Sequence, residues 1–499
     1  MNNQILLQIA QHLDISPSDF KIAQDRFNAV KKWLEDGSYK SGFLPDVYLQ
    51  GSFRLGTVIR PYKNDSDGKF DIDQVCELRK IKPSNFAKIL KNDIGNRIKE
   101  NQDYERMLDK EGKRCWTIEY ATEKNSPGFH IDILPALYSE EGTEHNIDIT
   151  HKENDIYSWS TSNPKGYYFW FKAKNNYSAS FIQSQRNTIF KANKELYEKE
   201  ENVPKALFRT SLQRAIQIMK RHRDVHFVNK EYKPISIIIT TISTQVHKQT
   251  DIMGIIEDFI NYVSSRNEFL IKKGFLAKDD ILDFNNGKWL IPNPVDYARP
   301  ENERENFADK WNTEMKLANS FFEWTQQLKR DTSSFKKSGI SDNLNLKTKT
   351  FGTGDAIDKI LKEEIEKRLE NGISLFLINN ELLNLIHLGI EGKSEWEPIE
   401  KLALRNYQKA NDGENKDVAK VNYYQISRHR GRSFTKEERN DIEDVLRRNI
   451  NSTSFVLCCN LLLGSATHEM IKNCMTDFNY ESILEWPILR LFDKPFLLK

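Results

Sequence analysis

The stretches YLQGS at residues 48–52 and FDIDQV at residues 70–75 decide how this chain folds. The second stretch alternates apolar and acidic residues, which is typical of a β-strand with one buried face. Residues i and i+2 of a strand point to the same side of the sheet. We therefore expect Asp71 and Asp73 to share one face, while the apolar residues beside them turn into the core.

A third carboxylate occurs in a similar strand farther along the chain. Asp132 lies within FHIDIL, residues 129–134, in the place that Asp71 and Asp73 take in their own strand. An isolated Asp-x-Asp pair is usually solvated surface, so the interpretation depends on all three residues. Three carboxylates on one sheet repel each other unless positive charge lies between them. Two Mg²⁺ (or Mn²⁺) ions about 3.5–4 Å apart are the natural occupants.

The Gly-Ser turn that precedes the acidic strand suits a phosphate group. Gly51 lets the backbone approach a ligand closely. The hydroxyl of Ser52 and the amides of a helix that begins there can hold a triphosphate. A phosphate-holding turn followed by three carboxylates is a layout suited to nucleotidyl transfer.

Composition favours a soluble, intracellular protein of ordinary type. The 499 residues predict two or three domains, and 38% hydrophobic with 29% charged residues is typical of soluble proteins. The net charge of +2 gives no global basic field for long-duplex nucleic acid. Five cysteines without zinc-type spacing, and the absence of a signal peptide, predict reduced thiols in the cytoplasm. The longest apolar run, residues 455–463, is too short to cross a membrane.

Periodicity predicts further elements around the acidic strands. A helix over residues 16–34 carries one apolar stripe and should lie behind the sheet. Residues 84–107 have a helical pattern, and residues 114–120 alternate as a strand. We expect the strand over residues 129–134 to end at Pro135, because proline cannot continue a hydrogen-bonded ladder.

The composition changes after about residue 150. After the aromatic-rich stretch at residues 158–172 the pattern becomes mainly helical, with the longest helix predicted over residues 205–223. On that helix, Lys220 follows the apolar stripe and could reach a phosphate, or it could be structural. His222 is expected to face solvent. The β-branched run at residues 237–242 favours a strand by propensity, although its flanks also allow a buried helix capped near Ser236.

The last part of the chain reads as a separate helical region. A polar loop over residues 332–354 marks the boundary, and helices are expected over residues 356–370 and 375–388. Residues 409–416 read as a linker. TKEE at residues 435–438 is a capping box for a helix that runs to about residue 449.

A basic run occurs between these elements. Arg428, Arg430 and Arg432 could contact an oligonucleotide, or the run could be a solvated loop. His130, beside Asp132, could be a ligand or base but is more simply a polar residue that lines the cleft.

These residues resemble the cGAS/DncV-like nucleotidyltransferases, or CD-NTases, which belong with oligoadenylate synthetases in the polymerase-β-like superfamily. The resemblance covers roughly residues 15–350. It depends on these stretches: QGSFRLGT (50–57), DID (71–73), HIDILP (130–135), TSNPKGY (161–167), LQRA (212–215), KRHRD (220–224), PIS (234–236), NPVD (293–296) and ENFADKW (305–311).

The resemblance implies an α+β fold of two lobes, a mixed sheet lobe and a helical lobe, with an additional mainly helical C-terminal region. The implied domains are a catalytic lobe at residues 1–165, an oligoadenylate-synthetase-like lobe at residues 166–350 and an accessory domain at residues 351–499. It also implies a helix, not a strand, after Ser236.

The resemblance assigns roles to individual residues. Three aspartates would hold two metal ions, and Asp132 would also help to deprotonate the acceptor hydroxyl. The residues implied to bind nucleotide are Gln50, Gly51, Ser52, Lys220 and Ser236; those implied to bind metal are Asp71, Asp73 and Asp132.

The expected function is metal-dependent joining of nucleoside triphosphates into a cyclic di- or trinucleotide. In the bacterial family such a product is a second messenger for an effector protein in anti-phage defence. Two alternatives remain: a template-independent polymerase that makes linear oligonucleotides, and an inactive nucleotide-binding regulatory subunit. An antibiotic-adenylating enzyme shares the first motifs but not the later ones.

Overall fold

The computed structural model describes residues 2–40, 45–63, 66–79, 86–121, 128–176, 178–299, 304–337, 350–352, 396–410, 414–429 and 431–477. The chain divides into two compact units. The first contains residues 1–332 and 350–352, and the second contains residues 333–349 and 353–499.

The first unit contains the strands and the larger share of the described helices. Its strands are β1 Asp46–Leu49, β2 Tyr62–Lys63, β3 Ser66–Asp67, β4 Phe70–Leu78, β5 Trp116–Tyr120, β6 Phe129–Tyr138, β7 Ile147–Glu153, β8 Ile156–Ser162, β9 Asp283–Asn285 and β10 Lys288–Leu290. Its helices are α1 Asn2–His12, α2 Pro17–Glu35, α3 Gly51–Leu55, α4 Ala87–Lys99, α5 Gln102–Met107, α6 Pro164–Lys174, α7 Ala179–Ala192, α8 Ser211–His226, α9 Ser236–Val246, α10 Ile252–Ser265 and α11 Glu268–Lys272, together with α12 Lys316–Lys337, which runs past the end of the unit.

A six-stranded mixed sheet forms the centre of this unit. The strand order is β1-β4-β6-β7-β8, and β5 also pairs with β6. Strands β4 and β6 run parallel, whereas the other pairs of the sheet are antiparallel. The two strands that carry the predicted carboxylates are therefore direct neighbours.

One face of the sheet is covered by helices. Phe70, Ile72 and Cys76 of β4 are fully buried in a core that also includes the apolar stripe of α2. Ser16 caps α2 by accepting a hydrogen bond from the Asp19 amide. Burial of the alternate residues on this side leaves Asp71 and Asp73 on the opposite face, as the alternation predicts.

The predicted end of β6 at Pro135 is wrong, because the strand continues to Tyr138. Pairing with β5 ends at Ile133, and pairing with β7 begins at Ala136. Pro135 lies between these two partners, where the missing N–H interrupts no ladder on that side.

Residues 237–242 form part of helix α9, so the strand favoured by propensity is wrong and the helix implied by the family resemblance is right. Hydroxyl groups help to accommodate the β-branched run. Thr240, Ser243 and Thr244 donate to the carbonyls four residues earlier. Tertiary burial of Ile238 on this helix outweighs a local preference that is worth less than about 1 kcal/mol per residue.

The predicted helix at residues 205–223 begins later, at Ser211. Thr210 and Gln213 form a capping box in which each side chain bonds the other residue's backbone amide. Lys205–Leu207 forms a separate 3₁₀ turn.

The second unit is helical in its described residues. Its helices are α13 Trp396–Lys409, α14 Glu414–His429, α15 Lys436–Arg448, α16 Thr453–Leu463 and α17 His468–Asp477. The capping box of α15 forms as predicted. The predicted helices at residues 356–370 and 375–388 lie outside the described residues. Helix α14 begins inside the predicted linker at residues 409–416, and α12 extends into the predicted loop at residues 332–354.

No helix within the described part of the chain is both long enough and apolar enough to span a membrane.

Candidate active site

The pairing of β4 with β6 places four polar side chains on the face of the sheet opposite the α2 core. The parallel register sets Asp73 opposite Asp132 and Asp71 opposite His130. His130 Nδ1 lies 3.4 Å from Asp71 Oδ1, and the Asp71 side chain is 57% exposed. The structure therefore brings together the three carboxylates that the alternation pattern predicts, with His130 as a polar neighbour of the exposed one.

Asp132 is held by a residue that the sequence analysis did not identify. Thr117 of β5 lies opposite Asp132 and donates its hydroxyl hydrogen to Oδ1 at 2.6 Å. This bond fixes one of the two carboxylate oxygens of Asp132. The alternation of residues 116–120 placed Thr117 on one face of its strand, but the pairing partner of that strand cannot be read from the sequence.

The Gly-Ser turn packs directly against the acidic strand. Gly51 has φ of 63°, and a Cβ atom at this position would lie 2.1 Å from Asp73 Oδ2. The amide of Gln50 donates to the Asp73 carbonyl at 2.8 Å. Ser52 follows Gly51 in the first turn of α3. Only glycine combines this backbone conformation with so close an approach.

The carboxylates carry unbalanced negative charge. Burial raises the pKa of Asp73 to about 7, and the charges of Asp132 and Asp71 act in the same direction. Lys220 opposes this shift but does not cancel it. Burial also raises the pKa of Asp132, against the hydrogen bond from Thr117. A cation bound among these groups would relieve the repulsion.

The chemistry of the donor set fits Mg²⁺ or Mn²⁺, which prefer carboxylate oxygens. As the side chains lie, no group of three or more His, Cys, Asp or Glu residues in the described part of the chain is arranged to hold a metal ion. Asp71, Asp73 and Asp132 therefore fit two cations in charge and ligand type, but side-chain movement would be needed to ligate them. Binding of two metal ions by these three residues is therefore a proposal.

Lys220 and Ser236 lie on the helices beside this face. Lys220 is buried and donates from Nζ to the Thr57 carbonyl at 2.8 Å. Burial lowers its pKa to about 8, with the charge of Arg223 acting in the same direction. Ser236 accepts a hydrogen bond at 2.8 Å from Arg223, a residue whose role was not predicted. The charge of Lys220 reaches Asp73, whereas Ser236 is tied to the end of α8.

His222 is buried, contrary to the prediction that it faces solvent. Its Nδ1 accepts from the indole N–H of Trp324 at 3.0 Å, and its Nε2 lies 3.0 Å from Asp331. Both partners are on α12, more than a hundred residues away in the chain. The local pattern of α8 could not reveal them.

At least one arginine of the predicted basic run is paired with carboxylates of the second unit. Arg432 forms ion pairs with Glu400 at 2.9 Å and Glu438 at 2.7 Å, so its charge is compensated there. Arg428 is exposed. Arg430 lies outside the described residues. Oligonucleotide contact by these arginines stays a prediction.

Comparison with known proteins supports this interpretation of the fold and family. Residues 1–175 match the family described as Second Messenger Oligonucleotide or Dinucleotide Synthetase domain. The chain is 27% identical over 376 residues to a c-di-GMP synthase of Roseivirga ehrenbergii, covering 74% of this chain and 90% of that protein. The solved structure of the Bradyrhizobium diazoefficiens CD-NTase CdnG in complex with GTP matches with a TM-score of 0.55 at 16% identity. That match covers 70% of this chain and 96% of CdnG, and it confirms the predicted α+β fold. These likenesses support a cGAS/DncV-like nucleotidyltransferase, or CD-NTase, as the type of enzyme that this chain resembles.

Proposed function

We propose that this enzyme joins two nucleoside triphosphates into a cyclic dinucleotide and releases pyrophosphate at each step. One observation carries the proposal. Asp73 and Asp132 lie opposite each other on parallel strands, with Asp71 on the same face and the Gly51 turn packed against Asp73. This arrangement supports a site in which the turn would hold a phosphate and the carboxylates beside it would serve an acceptor hydroxyl.

In the proposed step, a ribose hydroxyl of the acceptor attacks the α-phosphate of the donor. A new oxygen–phosphorus bond forms, the bond from the α-phosphorus to the bridging oxygen breaks, and pyrophosphate leaves with that electron pair. Asp132 takes the hydroxyl proton. Burial raises the pKa of Asp132, which makes it a stronger base than an exposed aspartate. Thr117 holds the carboxylate so that its second oxygen is available.

The donor triphosphate would lie against the amides of Gly51 and Ser52, within reach of Lys220. Asp71, Asp73 and Asp132 would hold two Mg²⁺ or Mn²⁺ ions, which lower the pKa of the acceptor hydroxyl and neutralise charge on the leaving group. A second transfer, with the roles of the two nucleotides exchanged, would close the ring.

The curated relative supports a cyclic product and suggests its base. It is named a c-di-GMP synthase and aligns over 74% of this chain. We therefore take GTP as the first nucleotide to test. A cyclic trinucleotide and a linear oligonucleotide are the alternative products.

Product identification tests the proposal. The purified protein is incubated with Mg²⁺ or Mn²⁺ and GTP, alone and with the other NTPs, and the products are separated and identified by mass spectrometry. We expect pyrophosphate release and a product without a terminal triphosphate. The Asp71→Ala/Asp73→Ala variant should lose at least about 100-fold of this activity, because both carboxylates act in the reaction.

The other possible results of this experiment would favour an alternative function or contradict the assigned site. A product that keeps its triphosphate would support the linear polymerase. Absence of pyrophosphate release from any NTP would support the inactive subunit. Undiminished turnover by the double variant would contradict the assignment of the site.

We further propose that the product is a second messenger for an effector protein in anti-phage defence, which the family resemblance supports. Plaque counts on cells that express the gene with its neighbouring genes should be lower than on cells with the Asp71→Ala/Asp73→Ala variant. Equal plaque counts would contradict this role and leave the enzymatic proposal intact.

A further inference from the structure

One face of α8 holds the segment that follows the Gly-Ser turn. Residues 56–60 form neither helix nor strand, and residues 55–59 are buried. Buried carbonyl groups need hydrogen-bond donors, and side chains of α8 supply them. Gln213 Nε2 donates to Leu55 O at 2.8 Å, Gln217 Nε2 to Val58 O at 3.0 Å, Lys220 Nζ to Thr57 O at 2.8 Å and Arg221 Nη1 to Arg60 O at 3.0 Å.

The four donors share one stripe of the helix. Their positions, 213, 217, 220 and 221, follow the spacing that brings residues to the same helical face. Each side chain is at most 5% exposed. Burial of two amides and two cations is costly unless they are hydrogen-bonded. The side chains on this face of α8 therefore use their hydrogen-bond donors to hold residues 55–60.

Gln213 makes the contact nearest to the turn. Its carbonyl oxygen accepts from the Thr210 amide at 2.8 Å in the capping box, while its amide nitrogen reaches Leu55. Gly56 has φ of 67°, and a Cβ there would lie 2.5 Å from Gln213 Nε2. Helix α8 and residues 55–60 therefore meet at Gly56, where the Cβ atom of any other residue would collide with Gln213.

A short helix connects this contact to the turn. Helix α3 runs from Gly51 to Leu55, so its last residue is the one that Gln213 holds and its first is the one packed against Asp73. The amides of Gly56 and Thr57 donate to the carbonyls of Phe53 and Ser52 in this helix. We therefore expect a displacement at Leu55 to reach Gly51 and Ser52.

We propose that Gln213 is a positioning residue for nucleotide binding. Its amide fixes the end of α3, and with it the Gly51–Ser52 turn, against the helix that carries Lys220. The inference rests on the proposed function, in which the turn and Lys220 hold the donor triphosphate from two sides. Without this bond the remaining contacts from α8 begin at Thr57, so the end of α3 would be held less tightly and the separation of the two sides would vary more.

Gln213→Glu tests the proposal at the cost of one added buried carboxylate, and Gly56→Ala tests it without adding charge. Glutamate is the other residue that completes a capping box, so the Thr210 contact is kept and the donor to Leu55 is lost. We expect the Kd for a non-hydrolysable GTP analogue, measured by calorimetry with Mg²⁺, to rise about tenfold, the equivalent of one hydrogen bond. Gly56→Ala, which displaces the same amide from the other side, should raise the Kd in the same direction.

Trp324→Phe is the matched control. It removes a buried 3.0 Å hydrogen bond to His222 and so loosens α8 from α12, without touching residues 55–60. We expect it to lower the unfolding temperature and keep the wild-type Kd. If Gln213→Glu does not fold, Gly56→Ala is judged by the same criterion.

The outcomes separate this inference from the proposed function. An unchanged Kd in Gln213→Glu, or an equal rise in Trp324→Phe, would overturn the positioning role. A wild-type protein that binds the analogue but makes no product would overturn the proposed reaction while the comparison of affinities still stands. A wild-type protein that binds no nucleotide would overturn both.

Discussion

At the scale of the residue, a glycine sets the distance between the phosphate-holding turn and the acidic strand. The position of Gly51 is demanding in two separate ways: φ is 63°, and the space that a Cβ would occupy is filled by the Asp73 carboxylate. The first demand costs about 1–3 kcal/mol for an ordinary residue. A Cβ atom at this position would also displace the Asp73 carboxylate, which the proposed reaction uses. Stability and activity should therefore respond differently to substitution.

Gly51→Ala should reduce pyrophosphate release at least about tenfold, because the added methyl group separates the turn from Asp73. Gly287→Ala provides the comparison. Gly287 has φ of 76° with nothing within 4 Å of its would-be Cβ, so it has the backbone strain without the clash. Gly287→Ala should lose only the cost of backbone strain in thermal unfolding and keep its activity, whereas Gly51→Ala should lose at least as much stability and also lose activity. Equal activity in the two would show that the contact with Asp73 does not matter.

The acidic face is also where sequence reasoning succeeds best. Alternation within a strand is a local property, so Asp71 and Asp73 could be placed on one face from neighbouring residues alone. Placing Asp132 beside them required the further assumption that its strand, β6, is a neighbour of β4. Thr117 and Arg223 could not be found in this way, because each acts through a partner that the chain brings near only after folding.

At the scale of the element, α9 shows how tertiary contacts override local preference. The β-branched run at residues 237–242 favours a strand, but the helix places Thr241 against α6. The Tyr167 and Thr241 hydroxyls lie 2.8 Å apart in a buried contact. Neither the contact nor the helix follows from the local composition, which is why the pattern alone left both structures open.

A double-mutant cycle measures this contact between α6 and α9. Tyr167→Phe and Thr241→Val should each lower the free energy of unfolding by about 1–2 kcal/mol. Each variant removes one hydroxyl of the pair and leaves the other hydroxyl buried without its partner. The double variant should lose less than the sum, with a coupling of about 1 kcal/mol. Tyr167→Phe combined with Thr240→Val should be additive, because Thr240 bonds its own helix at the Ser236 carbonyl. Equal coupling in both cycles would argue against the proposed packing.

At the scale of the whole molecule, contacts between distant parts of the chain hold the first unit together. Sequence motifs such as NPVD at residues 293–296 and ENF at residues 305–307 indicated the family but not their physical role. In the structure, Glu305 accepts from Asn293 at 2.8 Å and from Ser162, at the end of β8, at 3.1 Å. A carboxyl group thus joins the sheet to the loop that follows β10.

The protonation of Glu305 should make the stability of the first unit depend on pH. Burial raises its pKa from 4.5 to about 7 against the hydrogen bonds from Asn293 and Ser162. Because the folded state binds this proton more tightly than the unfolded state, the contribution is full below about pH 4.5 and is lost as the pH rises to about 7. The free energy of unfolding should therefore fall between pH 5 and pH 8, by about 1–3 kcal/mol.

Glu305→Gln should reduce that slope, since glutamine does not titrate, and the slope that remains should come from Asp73, whose pKa is also raised to about 7. The cost of the mismatched hydrogen bond in the variant is the same at both pH values. Glu111→Gln is the informative contrast. Burial alone would raise the pKa of Glu111, but bonds from Lys152 and Tyr157 outweigh it and the pKa is lowered. Its contribution is thus already complete at pH 5, and the variant should lose equal stability at pH 5 and pH 8. Chemical denaturation of the three proteins at both pH values decides the matter: a wild-type slope that persists in Glu305→Gln would assign the titration to another group.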